Sequence, residues 1–144
     1  VNHGIINQFL GDGFMATFGA PVADAHSCEH AVAASREIIR KTKSETEKGG
    51  IPHTRLGIGI HYGEAVTGNI GSAVRKQYSI TGNVVIIASR IEQLTKESGA
   101  QLMISEEVLQ RLDRTTRKYF NPVGEKNLKG SEKPVMVYKF QSDE

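Results

Sequence analysis

Asp12, in the run Phe9-Leu10-Gly11-Asp12-Gly13-Phe14-Met15, is the residue whose surroundings best suit chemistry. Glycine on both sides lets the backbone turn tightly. A carboxylate at the tip of such a hairpin is exposed and rigidly held. That suits a hard cation such as Mg²⁺, which binds through one or two carboxylates together with substrate phosphates. The same residues also make an ordinary turn, where Asp and Gly are favoured without any ligand. Arg90 is a second candidate, because its guanidinium fork matches phosphate oxygens in pairs. A solvated helix arginine is the commoner role for that residue type. His26 and His30 stand one helical turn apart with Cys28 between them. Zinc needs three or four ligands, and Cys28 belongs to an apolar stripe that points elsewhere, so no metal site is read there. His53 and His61 flank a strand and read as ordinary polar residues.

The elements that must position these residues follow from pattern. Ile5, Ile6, Phe9 and Leu10 precede the glycine turn, and Phe14, Met15, Thr17 and Phe18 follow it, so residues 4–19 read as a hairpin. Pro21 breaks the chain, and Asp24 is the expected N-cap of a helix. Cys28, Ala31, Val32, Ile38 and Ile39 recur at helical spacing, with Ser35 on the same face. Gly49-Gly50 ends that helix. Residues 55–61 (RLGIGIH) read as a strand with Leu56, Ile58 and Ile60 on one face. Strands are expected again at 64–70 and 78–81. Gly82-Asn83 turns the chain into a second helix, whose stripe is Val84, Ile87, Ala88, Ile91 and Leu94. QLMI at 101–104 is a strand, and Ser105 is expected to cap a short helix reaching Leu112. Strands near 120–123 and 135–140 close the chain. Helices and strands alternate, yet hairpins are frequent. This predicts an α+β, ferredoxin-like sandwich: a mixed, mostly antiparallel sheet with helices packed on one face.

Composition removes several classes. The chain has 144 residues, 38% hydrophobic and 24% charged, within the range of one globular domain. The formal net charge is +2 and the basic residues are interspersed with acids, which argues against nucleic acid. Trp is absent and there are only four Tyr and five Phe, too few for a base-stacking platform. The apolar run at 84–88 is far too short to span a bilayer. One cysteine excludes an internal disulfide and fits a reducing compartment. The chain opens on Val1 without a Met and is expected to be a piece of a longer one.

Several blocks, in order along the chain, resemble the catalytic domain of class III nucleotide cyclases. They are residues 4–13 (GIINQFLGDG) followed by 18–21 (FGAP), 55–63 (RLGIGIHYG), 68–72 (GNIGS), 78–85 (YSITGNVV), 88–92 (ASRIE), 128–130 (LKG) and 134–138 (PVMVY). The resemblance implies conversion of ATP or GTP to a 3′,5′-cyclic monophosphate and pyrophosphate in signal transduction, with Mg²⁺ or Mn²⁺, in a site shared by two domains of a homodimer. It implies a lyase of the adenylate or guanylate cyclase type. It also implies a cytoplasmic domain of a larger protein, attached to any membrane only through other parts of that protein.

The family's functional positions carry over one by one. Asp12 falls on the second of two metal-holding aspartates, flanked by Gly11 and Gly13. The first would lie upstream of Val1, so the domain is expected to span 1–144 without its N-terminal strand and helix. Gln8 falls where a Lys reads adenine or a Glu reads guanine, and its amide can meet either base. Ser79 falls on the partner Asp or Thr. Adenine is mildly preferred, and GTP stays open. Arg90 falls on the arginine that steadies the transition-state phosphate. Lys129 lies near a phosphate-contacting lysine, with Lys126 and Lys133 as competitors. Ile86 departs from the pattern, because the family places there an Asn that steadies the ribose. Asn83, nearby, is read as structural. Losing one preorganised donor costs roughly 10²–10³ in rate. The second reading is therefore a catalytically weak or inactive cyclase-homology domain, acting as a regulatory, dimerisation or nucleotide-binding module.

Overall fold

The computed structural model describes residues 4–10, 13–19, 23–52, 56–64, 66–71 and 76–141. Eight strands and four helices alternate among them. Strands β1 (Gly4–Leu10) and β2 (Gly13–Phe18) lead into helix α1 (Ser27–Glu47). Strands β3 (Ile58–Ile60), β4 (Val66–Gly71) and β5 (Lys76–Thr81) precede α2 (Asn83–Ser98). Then come β6 (Leu102–Ser105), α3 (Glu106–Leu109), α4 (Arg114–Arg117), β7 (Phe120–Lys126) and β8 (Val135–Phe140).

A four-stranded sheet of order β3-β6-β8-β7 forms the centre. Strand β3 runs parallel to β6, in the register Ile58↔Leu102 to Ile60↔Ile104. The pairs β6–β8 and β7–β8 are antiparallel. The expected α+β mixed sheet is thus observed. The helices, however, divide between its faces rather than sharing one. Leu102 and Ile104 pack with Cys28 and Val32 of α1, Val108, Leu112 and Phe120. Met103 packs with Ile87 and Ile91 of α2, Val135 and Val137. Alternation along a strand sends successive side chains to opposite faces. Every residue of β6 is therefore buried, and Leu102 to Ile104 read as an unbroken apolar run for that reason.

Gly59 allows α2 to lie directly on β3. A Cβ there would come within 2.7 Å of the Ala88 carbonyl oxygen, and closer still to the Glu92 amide nitrogen. A side chain at that point would push the helix off the strand.

Outside this sheet, β1–β2 and β4–β5 are separate antiparallel ribbons. Strand β1 also approaches β5. In β1–β2 the register shifts between Ile6 and Gln8, a β-bulge, and the pair Leu10↔Gly13 closes the hairpin.

Four local expectations are corrected. Asp24 is not the N-cap of α1, whose cap position is His26. Its carboxylate instead accepts from the His26 amide at 2.9 Å and contacts His30 Nδ1 at 2.5 Å. That still satisfies an amide donor ahead of the helix. Ser105 does stand at the N-cap of α3 but makes no side-chain cap bond. Ile38, expected in the buried stripe, is 37% exposed. Cys28, Val32, Ser35 and Ile39 follow one line along α1 and take the sheet contact, and Ile38 lies to the side of it. The short helix expected through Leu112 ends sooner, and α4 follows it. Asp113 caps α4 by accepting from the Thr116 amide at 2.8 Å. That bond lowers the Asp113 pKa below the usual carboxylate value.

Candidate functional site

The sequence candidates fall on two parts of the fold. Gln8 lies on β1, where its backbone pairs with Met15, and Gly13 is the first residue of β2. Ser79 lies on β5, paired with Gly68 of β4. The approach of β1 to β5 brings the strands that carry Gln8 and Ser79 next to each other. Gly11 and Asp12 lie outside the described residues.

The second part is built on α2. Arg90 is half-buried, and its guanidinium donates to Gln93 Oε1 of the same helix at 3.1 Å. Ile86 stands one turn earlier on the same side of the helix. It is 39% exposed, whereas its neighbour Ile87 is 7% exposed and in the core. Ile86 packs on the β7–β8 connection. A Cβ at Gly130 would lie 3.2 Å from Ile86 Cγ2 and 3.8 Å from the Asn83 carbonyl oxygen. Gly130 has φ 96°, a left-handed conformation that favours glycine. Exposed Lys129 is therefore held beside the first turns of α2, in the neighbourhood of Ile86. Lys126, its competitor, ends β7. Asn83 is the first residue of α2.

Among the described residues no group of three or more His, Cys, Asp or Glu could hold a metal ion. His26 and His30 make an edge-to-face ring contact with centroids 6.3 Å apart, without a cluster of ligands around them. A hard cation that also takes phosphate oxygens needs few protein carboxylates. The carboxylate expected to meet that demand, Asp12, lies outside the described residues. Cys28 is buried, and burial pushes its thiol pKa up, away from reactivity.

This arrangement matches known proteins over nearly its whole length. The family described as Adenylate and Guanylate cyclase catalytic domain matches residues 7–142. The chain belongs to this family. Adenylate cyclase 1 of Rhizobium meliloti (strain 1021) is 35% identical over 138 residues, which is 94% of this chain and 20% of that protein. The crystal structure of the guanylyl cyclase Cya2 superimposes with a TM-score of 0.81 at 31% identity, covering 96% of this chain and 70% of that one. The adenylyl cyclase CyaB from P. aeruginosa gives a TM-score of 0.73 at 27% identity, covering 99% and 74%. This cyclase domain spans about a fifth of the length of the first curated relative it matches. Among the described residues, no helix is long and apolar enough to cross a membrane.

One contact in the cyclase domain has no signature in the sequence. Its type and position mark His61 as an ordinary polar residue, yet its Nδ1 lies 2.8 Å from the Ser105 hydroxyl. Desolvation holds the His61 pKa below 6.5, against a smaller opposing effect of Glu107. The two residues are 44 apart in sequence. Only strand pairing brings them together, so no local signal could have found the contact.

Proposed function

We propose that this domain cyclises a purine nucleoside triphosphate, ATP in preference to GTP, to the 3′,5′-cyclic monophosphate, in a site completed by a second copy. The ribose 3′-oxygen forms a bond to the α-phosphorus. The bond from that phosphorus to the bridging oxygen breaks, pyrophosphate leaves with the electron pair, and the hydroxyl proton passes to solvent. The observation that carries this reading is the family match across 7–142 together with Arg90 on the outer side of α2.

Each residue has a proposed task. Arg90 steadies the charge that develops on the α-phosphate, where a preorganised cation acts most strongly. Lys129, beside the first turns of α2, neutralises the leaving phosphates. Gln8 and Ser79, on adjacent strands, read the purine edge through an amide and a hydroxyl. Asp12 would hold Mg²⁺ or Mn²⁺, which when bound supplies further charge neutralisation on the phosphates.

Ile86 favours a second reading, a domain that binds nucleotide or its partner with little turnover. Its side chain offers no hydrogen bond to ribose and packs on Gly130 instead. Turnover of ATP and GTP by the full chain with Mn²⁺ separates the two readings. Cyclic product whose yield per chain rises with protein concentration, and which Asp12→Ala abolishes, supports the dimeric enzyme. A folded dimer that makes no product from either nucleotide overturns it. In that case Ile86→Asn, if it restores turnover, identifies Ile86 as the cause.

A further inference from the structure

The segment that leaves the central sheet after β3 is gripped from both faces. Ile60 and Ile104 form the last parallel pair of β3 and β6, and His61 and Ser105 stand one step beyond it. Alternation turns these two residues toward the α2 side of the sheet, opposite to Ile60 and Ile104. There His61 Nδ1 meets the fully buried Ser105 hydroxyl at 2.8 Å. This hydroxyl would ordinarily cap α3, and it makes no cap bond. On the other side of the strand, Arg111 lies over the Tyr62 ring at 3.8 Å and donates to the Glu107 carbonyl oxygen at 2.8 Å. Gly63 then passes beside α2, where a Cβ would be 3.4 Å from Val84 Cγ2 and 3.9 Å from His61 Nε2. A few residues later the chain enters the β4–β5 ribbon, which belongs to a separate sheet from β3.

We propose that His61 is a positioning residue: through Ser105, and together with the Tyr62–Arg111 stack, it sets where the β4–β5 ribbon lies relative to α2. Among the described residues the β4–β5 ribbon shares no strand hydrogen bond with the central sheet; Gly82 joins its far end directly to α2, and the 61–64 grip would fix the end that Gly82 does not. The segment 61–64 is its direct covalent tether to β3. The ribbon carries Ser79, and α2 carries Arg90. Any ligand that contacts both requires their spacing to be held, because a small misplacement weakens positioning sharply. This last consequence rests on the proposed function, while the anchor itself does not.

The test separates the anchor from general stability. Asn at position 61 can place a polar atom near that of the imidazole Nδ1, whereas Leu cannot. Amide hydrogen exchange of the full chain is measured for wild type, His61→Leu, His61→Asn and Ser105→Ala. Exchange in 66–71 and 76–81 is expected to rise about tenfold in His61→Leu and in Ser105→Ala, the scale of losing one buried hydrogen bond. Exchange in 102–105 should change much less, and His61→Asn should return 66–81 toward wild type. Equal exchange in 66–81 across all four proteins would overturn the proposal. So would a rise of the same size in 102–105 as in 66–81, since that reports only global destabilisation. Loss of protection in Asn and Leu variants alike would show that hydrogen bonding to Ser105 is not the cause. Exchange needs no turnover, so this result stands whether or not the domain proves to be an active cyclase.

Discussion

Two long helices cover opposite faces of one sheet, and they use their residues differently. On α1, Cys28, Val32 and Ser35 are buried, Ile39 is partly buried, and no candidate site residue is present. Its pattern is accounted for by the sheet beneath it. On α2, Ile87, Ile91 and Thr95 are buried in the same manner, yet Ile86 and Arg90 stand apart from them. Ile86 and Ile87 are chemically identical neighbours with opposite surroundings. One helix therefore only closes a core. The other closes a core and presents two further side chains: Ile86, which packs on Gly130 of the β7–β8 connection, and Arg90, which bonds Gln93 of its own helix.

The difference can be broken by mutation. The largest expected effect is on the shared function of the two helices, core closure. Ile91 is 0% exposed, so Ile91→Ala should cost about 4 kcal/mol of stability through lost burial and the cavity left behind. Ile38→Ala on α1, at a position 37% exposed, should cost well under half of that. Urea unfolding monitored by circular dichroism measures both. Equal losses would mean that exposure does not distinguish these positions.

A somewhat smaller effect should be confined to α2. Arg90→Ala is expected to lower turnover by roughly 10²–10³ while changing stability by no more than about 0.5 kcal/mol. Arg40→Ala, at an exposed position of α1, should change neither. Steady-state kinetics beside the same unfolding curves decide it. If Arg90→Ala unfolds the domain instead, the residue is structural and the contrast between the helices disappears.

The smallest effect concerns pH on the α2 side of the sheet. The folded-state pKa of His61 lies below 6.5, mainly through desolvation. Well above pH 6.5 the imidazole is neutral in both states and contributes no pH dependence. As pH falls below 6.5, the unfolded chain takes the proton first, so the folded state loses stability down to the folded pKa. Melting temperature should therefore drop between about pH 7 and pH 5 less steeply in His61→Asn than in wild type. Parallel curves would show that His61 carries no such linkage.

Much of this organisation was legible in the residues. The α2 stripe, the hairpin ahead of Asp12 and the apolar run of β6 all follow from local spacing, and local spacing is what sequence shows. The order of motif blocks points by itself to the cyclase family. Spacing alone does not announce helices on both faces, although Leu102, Met103 and Ile104 are apolar in succession and so on both sides of the strand. An unbroken apolar strand demands cover on both faces. Helical spacing places Ile38 in the buried stripe because it tolerates a wide apolar arc, while the sheet contact uses only a narrow line of it.

By itself, the sequence determined the elements, the family and the chemical types available: a hairpin carboxylate, a helix guanidinium, a loop lysine, and an isoleucine in place of an amide. These depend on residue identity and near neighbours. Only the tertiary structure decided that Ile86 rests on Gly130, that α2 lies directly on Gly59, and that His61 meets Ser105. Those contacts join residues far apart in the chain, and their energies depend on distances that strand register and helix packing set.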